Sequence, residues 1–207
     1  MPAFISLLIA IAGIVSNPIS AAIENYENVR SYQVTLISES GGTEETVRYF
    51  YKKPGFVKME LVKPFRGAVL VYNPDTRKVR VTPFGSMKFL YFSLDPDNDL
   101  IKSSSGHRID KSDLGELLQS ARELQKNGKT EILSEEDVNG KAAIRLSVKG
   151  EGDYTVDGIH TYELWLETKT LLPLKVSSFD VEGRLIEEVL MDDLEINIVF
   201  PDKFFDQ

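Results

Sequence analysis

The chain of 207 residues contains no cysteine, and this absence excludes several kinds of protein at once. Disulfide bonds, thiolate nucleophiles and zinc sites with cysteine ligands all require the thiol. A lipoprotein that is acylated on a cysteine is excluded for the same reason. The sequence is also poor in histidine: His107 and His160 are its only imidazoles, so it offers few bases that titrate near neutral pH.

Basic residues are fewer than acidic residues. The sequence has 24 Lys and Arg against 32 Asp and Glu, which gives a net charge of −8. Nucleic-acid surfaces need clustered basic residues that displace counterions from phosphates, so we expect no binding to nucleic acid. A composition of 42% hydrophobic and 27% charged residues is ordinary for a globular protein, and the length is typical of one domain.

Catalytic and cofactor motifs are missing as well. The sequence has no P-loop, no G-x-G-x-x-G, no G-x-S-x-G and no H-E-x-x-H. Glu187-Glu188 and Asp192-Asp193 are adjacent pairs in predicted strands, so the two carboxylates of each pair point to opposite faces. Ser103–Ser105 with His107 combines a hydroxyl with a base, but no oxyanion donor accompanies them. We therefore predict a protein without catalysis and without a cofactor.

One acidic segment imitates the start of a calcium loop, with carboxylates at Asp95, Asp97 and Asp99. Its sixth position is Leu100 instead of Gly, and its twelfth is Gly106 instead of Glu. A solvated turn is therefore the preferred interpretation, and we predict no metal site.

The N-terminal segment is uncharged through Ala22 and contains the apolar run Ala3–Val15. The run is shorter than the about 20 residues of a spanning helix, and Pro18 and several small residues follow it. This pattern is typical of a signal peptide cleaved after Ala21 or Ala22. No Lys or Arg precedes the run, so the α-amino group supplies its only positive charge or translation starts upstream.

We take residues 1–21 as a signal peptide and 22–207 as a single domain, and we expect a monomer in the periplasm. A buried N-terminal helix and an uncleaved anchor are the alternatives for the first segment.

The mature region alternates with the period of two that is typical of half-buried strands. A short helix is predicted over residues 22–30, and strands follow at intervals of about 10 to 12 residues, joined by Gly, Pro and Asn turns. Gly41-Gly42 and Asn139-Gly140 mark two of the hairpins. No crossover helices separate these strands, which excludes a parallel sheet. Residues 84–109 are expected to be irregular, with aromatic residues at their start.

One helix interrupts the strands at about residues 112–126. Apolar residues from Leu114 to Leu124 recur with the helical period, Asp113 and Glu116 resemble a capping box, and Gly128 is the predicted C-terminal stop. The chain is thus predicted to be mainly β (α+β), with nine to eleven antiparallel strands in one curved sheet and this helix on its concave side.

Three segments resemble LolA-type periplasmic carriers of outer-membrane lipoproteins. They are YFYKKPGFVKMELVKPFRGAVLVYNPDTRKVRVTP at 49–83, LWLETKTLLPLKVSSFDVEGRLIEEVLMDDLEINI at 164–198, and FPDKFF at 200–205. The likeness covers about residues 22–205, which is the whole mature chain. Each motif alone is weak, so the resemblance depends on their order and spacing. The resemblance implies an unclosed half-barrel of eleven strands with a helical lid on its concave face. By this resemblance, the chain looks like a divergent member of the LolA-LolB-like superfamily.

The resemblance also implies a function. Carriers of this kind bind acyl chains of lipoproteins on the concave face, receive them from an inner-membrane lipoprotein-releasing transporter and pass them to an outer-membrane receptor. A lipid-sensing or regulatory module of the envelope is the alternative. Carriers usually have Arg before the Pro of the second turn, where it is associated with holding the lid; Lys53 stands here, and Lys cannot make the same bidentate contact.

The candidate ligand-binding residues are apolar side chains expected on the concave face and the lid. They are Val34, Leu36, Val47, Tyr49, Val57, Met59, Leu61, Phe89, Leu114, Leu118, Leu164 and Leu166, with Lys53 as a possible latch for the lid. A packed core without a cavity is the alternative to a binding site, because apolar stripes usually form cores.

Overall fold

The computed structural model describes residues 17–83, 90–103 and 105–206. These residues form two α-helices, two short 3-10 turns (Asp99–Ile101 and Ile109–Lys111) and eleven strands. The helices are α1 (Pro18–Glu27) and α2 (Leu114–Lys126). The strands are β1 (Ser31–Ser40), β2 (Thr43–Lys52), β3 (Phe56–Lys63), β4 (Val69–Asn73), β5 (Lys78–Thr82), β6 (Phe92–Leu94), β7 (Gly128–Val138), β8 (Lys141–Gly150), β9 (Thr161–Glu167), β10 (Pro173–Phe179) and β11 (Leu185–Ile196). Neither helix is long and apolar enough to cross a bilayer.

The strands build a single antiparallel sheet in the order β6-β5-β4-β3-β2-β1-β11-β10-β9-β8-β7. Strands that are consecutive in the chain are neighbours in the sheet, except for β6 and β7, and the first and last strands, β1 and β11, pair in the middle. The ends of this order, β6 and β7, do not pair with each other, so the sheet is not closed into a barrel. The predicted fold, a mainly β, unclosed half-barrel with a helical lid, is confirmed.

Tight turns fix the register of the hairpins. Gly41 and Gly42 both have positive φ, at 56° and 78°, and so do Asn139 and Gly140, at 51° and 80°. Two consecutive residues of this kind give the turn twist that suits adjacent antiparallel strands. Both predicted hairpin turns are therefore confirmed.

Helix α2 lies on the concave face. Its residues Leu114, Leu118, Ala121 and Leu124 are buried, and they share one core cluster with the inward side chains of the strands. Asp113 caps the helix by accepting a hydrogen bond from the Gly115 N–H at 2.7 Å. The predicted helix and its N-cap are thus found where the periodicity indicated.

Two local predictions differ from the structure. Helix α2 ends with Asn127 as its C-cap, and Gly128 is already the first residue of β7. Glycine is needed there for another reason, since a Cβ would lie 2.1 Å from the Lys149 carbonyl oxygen of the neighbouring strand. Within the segment expected to be irregular, Phe92–Leu94 forms the edge strand β6, because it pairs with Val79–Val81 of β5.

Helix α1 begins earlier than the predicted 22–30. Asn17 caps it by accepting from the Ser20 N–H at 3.1 Å, and its side chain also donates to Gln125 of α2 at 2.9 Å. Ile19 and Ala22 are fully buried in the core. The expected cleavage point after Ala21 therefore lies inside α1, at a residue that packs with the rest of the domain.

We predict that a chain starting at Ala22 is less stable than one starting at Asn17. The shorter chain lacks the cap, worth about 1 kcal/mol, and the burial of Ile19, worth about 2 kcal/mol. Urea unfolding of the two purified chains measures the difference. Asn17→Ala in the longer chain isolates the contribution of the cap, and equal stability of the two chains would contradict the packing role of this turn.

Candidate functional site: the concave face and its lid

The concave face gathers the predicted ligand-binding residues. Those that are buried together on it or on α2 are Val34, Tyr49, Val57, Leu114, Leu118, Leu164 and Leu166, while Leu36, Met59 and Leu61 are partly buried against the same core. Val47 is half-buried and lies opposite Leu36 in the ladder. Phe89 lies outside the described residues. The structure thus brings these described side chains together in one apolar core with α2, and their binding of a ligand stays a prediction.

Four tyrosines meet beneath the start of α2. Tyr32 of β1 stacks on Tyr49 and Tyr51 of β2, with ring centroids 5.8 and 5.1 Å apart. Tyr26 of α1 lies 6.4 Å from the ring of Tyr51. The strand positions explain the stack, because Tyr32 pairs directly with Tyr51 across the ladder and the alternation brings Tyr49 to the same face.

The hydroxyl groups of three of these residues hold the N-terminus of α2. Tyr32 Oη accepts from the Leu114 N–H at 3.1 Å, and Tyr26 Oη donates to Asp113 Oδ1 at 2.8 Å. Tyr49 Oη lies 3.1 Å from Ser112 Oγ. Since Ser112 Oγ donates its own proton to the Ile109 carbonyl at 2.8 Å, Tyr49 is the donor of that pair. We name Tyr26, Tyr32 and Tyr49 the tyrosine clamp.

The clamp keeps its hydrogen bonds at any physiological pH. Burial raises the pKa of the Tyr26, Tyr32 and Tyr49 hydroxyls above the usual value, and the charge of Asp113 adds to the rise. The phenols therefore stay neutral, and Tyr26 and Tyr49 keep the protons they donate. Of the clamp, sequence reasoning selected only Tyr49, as an apolar wall residue. The alternation that puts Val34 on the concave face would also have found Tyr32.

Lys53 does not touch α2. Its ammonium donates to the carbonyl oxygens of Tyr26 and Glu27, at 3.2 and 2.8 Å, at the C-terminal end of α1. The same nitrogen lies 5.1 Å from the centre of the Tyr26 ring. A cation at a helix C-terminus satisfies free carbonyls and is favoured by the helix dipole. Any influence of Lys53 on the lid therefore passes through Tyr26 and its bond to Asp113.

A second polar cluster lies at the other side of the concave face. Glu187 of β11 is buried, and its carboxylate accepts from Ser105 Oγ at 2.7 Å and bonds His107 Nε2 at 2.9 Å. Ser103 Oγ, 2.9 Å from Ser105 Oγ, also accepts from the His107 N–H at 3.0 Å. These contacts fasten the connection between β6 and α2 to a strand some 80 residues further along the chain.

This arrangement differs from that of a base-activated nucleophile. The hydroxyl of Ser105 and the imidazole of His107 both turn to the same carboxylate, instead of the hydroxyl facing the imidazole. Glu188 points the opposite way, where it binds Ser177 and Lys175, as expected for adjacent strand residues. His160 is buried with Nδ1 2.9 Å from the Tyr154 carbonyl, a structural role.

Metal ligands do not cluster in the part of the chain that the structure describes. In the acidic segment, Asp95 pairs with Lys78 at 2.7 Å and Asp99 with Lys102 at 2.5 Å. Asn98 caps the short turn that follows by accepting from the Leu100 N–H at 3.0 Å. Two of the three carboxylates that imitate a calcium loop, Asp95 and Asp99, are thus engaged by lysines.

Comparison with known families decides the classification. A family model described as the MucB/RseB N-terminal domain matches residues 21–207. The chain belongs to this family. No curated protein sequence matches it.

Solved structures with the same fold are distant in sequence. One chain of the Pseudomonas aeruginosa MucA/MucB complex aligns with a TM-score of 0.58 and 18% identity, over 91% of this chain and 59% of that one. An uncharacterized conserved protein from Thermus thermophilus aligns with a TM-score of 0.55 and 11% identity, over 92% and 91%. The Mycobacterium tuberculosis lipoprotein LppX aligns with a TM-score of 0.55 and 9% identity, over 89% and 95%.

These likenesses concern the fold alone, because all three identities are below 25%. The chain spans less than two thirds of the chain that it matches in the MucA/MucB complex. The half-barrel implied by the resemblance to LolA-type carriers is therefore right as to fold, and the family is that of the MucB/RseB N-terminal domain.

We predict that Gly115→Ala destabilises the protein, although the same change in an exposed helix would stabilise it by up to about 1 kcal/mol. A Cβ at Gly115 would lie 2.5 Å from Tyr26 Cε1 and 2.8 Å from Asp113 Oδ1, so the clamp would have to shift. We expect a loss of about 1–3 kcal/mol in urea unfolding. In a Tyr26→Ala background the loss should vanish, because the ring is gone and Asp113 is free to turn; an equal loss in both backgrounds would contradict the argument.

We also predict a pH-dependent contribution from His107. Its hydrogen bond to Glu187 raises the pKa of the imidazole, and the charges of Glu187 and Asp157 add to this against the opposing effect of burial. A raised folded-state pKa stabilises the protein fully below the unfolded value of about 6.5 and ceases to do so as pH rises through the raised pKa. The stability difference between wild type and His107→Gln should therefore shrink as the pH rises from about 6.5 through the raised pKa of His107.

Urea unfolding at several pH values measures this difference. Glu187→Gln is the matched control, since it keeps the hydrogen-bonding shape but removes the charge that raises the pKa of His107. A difference that stays constant across the pH range would show that the imidazole titrates without regard to Glu187.

Proposed function

We propose that the chain is a non-catalytic binding module of the cell envelope that takes up acyl chains of lipids or lipoproteins on its concave face, in exchange for α2. The single observation that carries the proposal is that an apolar face lined by strands that include β1–β3 and β9 is covered by α2, with α1 and the segment before α2 packed in the same core, rather than by a second sheet. A helix can leave such a face while the sheet stays whole, because the hydrogen bonds of the sheet run between its strands.

The energies of the two occupants are comparable. Leu114, Leu118 and Leu124 of α2 are buried on the face, and each is worth about 2 kcal/mol of apolar burial. An acyl chain of about fourteen carbons contributes on the order of 10 kcal/mol before entropy costs, at about 0.8 kcal/mol for each buried CH₂. A ligand of this class can therefore compensate for the apolar burial that these leucines give up when the lid moves.

A regulatory role is favoured over delivery between membranes. The tyrosine clamp and the Glu187 cluster fasten both the start of α2 and the segment before it, so opening requires the loss of several hydrogen bonds. A ligand that opens the lid would thus change the surface around α2 strongly, as a sensor needs. MucB, which gives its name to the family, has been solved in complex with MucA, and we propose that this module likewise has a protein partner.

Carrier function is the second candidate, with an inner-membrane transporter and an outer-membrane receptor as partners. It is favoured by the same apolar face and by the segments that resemble LolA-type proteins. In that case Lys53 would tune lid opening through Tyr26, and cargo exchange would be fast and complete. A sensor would bind its ligand without handing it on.

The test is a titration of the purified protein with an environment-sensitive fluorescent acyl probe, followed by competition with a diacylated lipopeptide. Met59→Glu places a carboxylate on the concave face at a partly buried position and should weaken probe binding at least about tenfold, because a charge next to an acyl chain is costly to desolvate. Ile132→Glu adds the same charge at an exposed site and should bind as the wild type does.

Saturable binding that the lipopeptide displaces, and that Met59→Glu weakens selectively, is the expected result. Transfer of the bound lipopeptide to acceptor vesicles would then favour the carrier over the sensor. A folded protein that binds no probe would instead indicate a permanently packed core and would refute the proposal.

A further inference from the structure

Exposed apolar side chains are concentrated at one end of the half-barrel, close to the edge strand β6. They belong to the end of β3 and the β3–β4 turn, and to the start of β6 and the two residues before it. The members are Val62, Phe65, Leu90, Tyr91 and Phe92, with exposed fractions of 38%, 67%, 49%, 52% and 43%. We name this set the aromatic rim. Three of its five side chains are aromatic.

The register of the strands shows that these residues share one end of the sheet. Val69, just after the β3–β4 turn, pairs with Thr82 at the end of β5. Val81 of β5 pairs with Phe92 at the start of β6. Three successive hairpins therefore bring residues far apart in the chain to the same end of the sheet, and exposed apolar side chains gathered in this way are typical of an interaction surface.

Basic side chains accompany the aromatic rim in a protein whose net charge is −8. Lys63 at the end of β3 and Arg66 in the β3–β4 turn are exposed on either side of Phe65 in the chain, and Arg80 stacks on the Tyr91 ring at 4.0 Å. Lys63 also pairs with Glu44 at 3.0 Å, but both partners are exposed, so this contact is weak.

We propose that the aromatic rim docks on an anionic lipid bilayer. Aromatic side chains prefer the region between head groups and acyl chains, and basic residues beside them bind the lipid phosphates. An anionic bilayer complements the basic residues of the rim, whereas in a symmetric contact between two copies of the chain Lys63 and Arg66 would face the same positive charges. Phe65, Tyr91 and Phe92 enter the interface, and Lys63 and Arg66 lie at the phosphates.

Docking at this place also orients the domain. Phe92 pairs with Val81 in the ladder between β5 and β6, and Val81 belongs to the core of the concave face. The rim therefore borders the open edge of that face. A module docked in this way presents the edge of its binding face to the membrane. The inference does not depend on acyl binding, since a packed core with the same rim would dock equally well.

The experiment is sedimentation of the purified protein with vesicles of phosphatidylethanolamine and phosphatidylglycerol, and with vesicles of phosphatidylcholine alone. All variants carry the same N-terminus, so any contribution of the apolar first residues cancels between them. The double variant Phe65→Ser/Tyr91→Ser should bind anionic vesicles at least about tenfold more weakly than wild type. Val199→Ser is the matched control, because Val199 is 96% exposed in the tail after β11, near the opposite end of the sheet.

The electrostatic part has its own pair of variants. Lys63→Gln/Arg66→Gln should weaken binding to anionic vesicles by about fivefold for each charge and reduce its salt dependence. Lys169→Gln/Lys203→Gln removes two exposed charges away from the rim and should bind as the wild type does.

Wild-type binding to anionic vesicles that both rim variants lose and both controls keep would support the docking surface. The proposal is overturned if the wild type does not bind anionic vesicles, or if rim and control variants bind alike. Titration of the same variants with the fluorescent acyl probe separates the two proposals, since rim variants that keep full probe affinity while losing vesicle binding leave the concave-face function untouched.

Discussion

The structure depends on covering one apolar face. An antiparallel sheet of eleven strands that does not close leaves its concave side without a second sheet, and α2 with the segment before it covers that side. Leucines of α2 supply the burial, but apolar contact alone does not fix where a helix lies on a broad surface. The hydroxyls of the tyrosine clamp fix it, because each one bonds a specific atom at or just before the first turn of α2.

The polar residues around α2 serve this placement rather than chemistry. Asp113 caps α2 and binds Tyr26, Ser112 links Tyr49 to the turn before the helix, and Glu187 gathers Ser105 and His107. Each of these polar groups therefore has a partner, which keeps the cost of burial low. The consequence is a lid with defined points of release, and this is the property that a ligand-responsive module of the MucB/RseB N-terminal family would use.

The two proposed surfaces have different roles: the concave face would bind the ligand and the aromatic rim would dock on the membrane. The concave face is mainly apolar, whereas the rim next to it combines aromatic side chains with the exposed Lys63 and Arg66. If both proposals hold, a ligand taken from a membrane would meet the rim beside the open edge of the binding face. The convex side instead carries the tail residues Phe200, Phe204 and Phe205, which pack around Phe50 and Phe56 and close that face with aromatic contacts.

The sequence by itself determined whatever depends on neighbours along the chain. Alternation located the strands, the helical period located α2 and its buried stripe, and Gly and Asn turns located the hairpins, since side chains two or four residues apart share a face whatever the fold. Only the tertiary structure decided the contacts between distant residues. Strand β6 forms because β5 pairs with it, and α1 starts at Pro18, where Ile19 packs on the core. His107 bonds Glu187, which lies 80 residues further along the chain. The rim belongs to this second group, because only the register of three hairpins brings Phe65 and Tyr91 to the same end of the sheet.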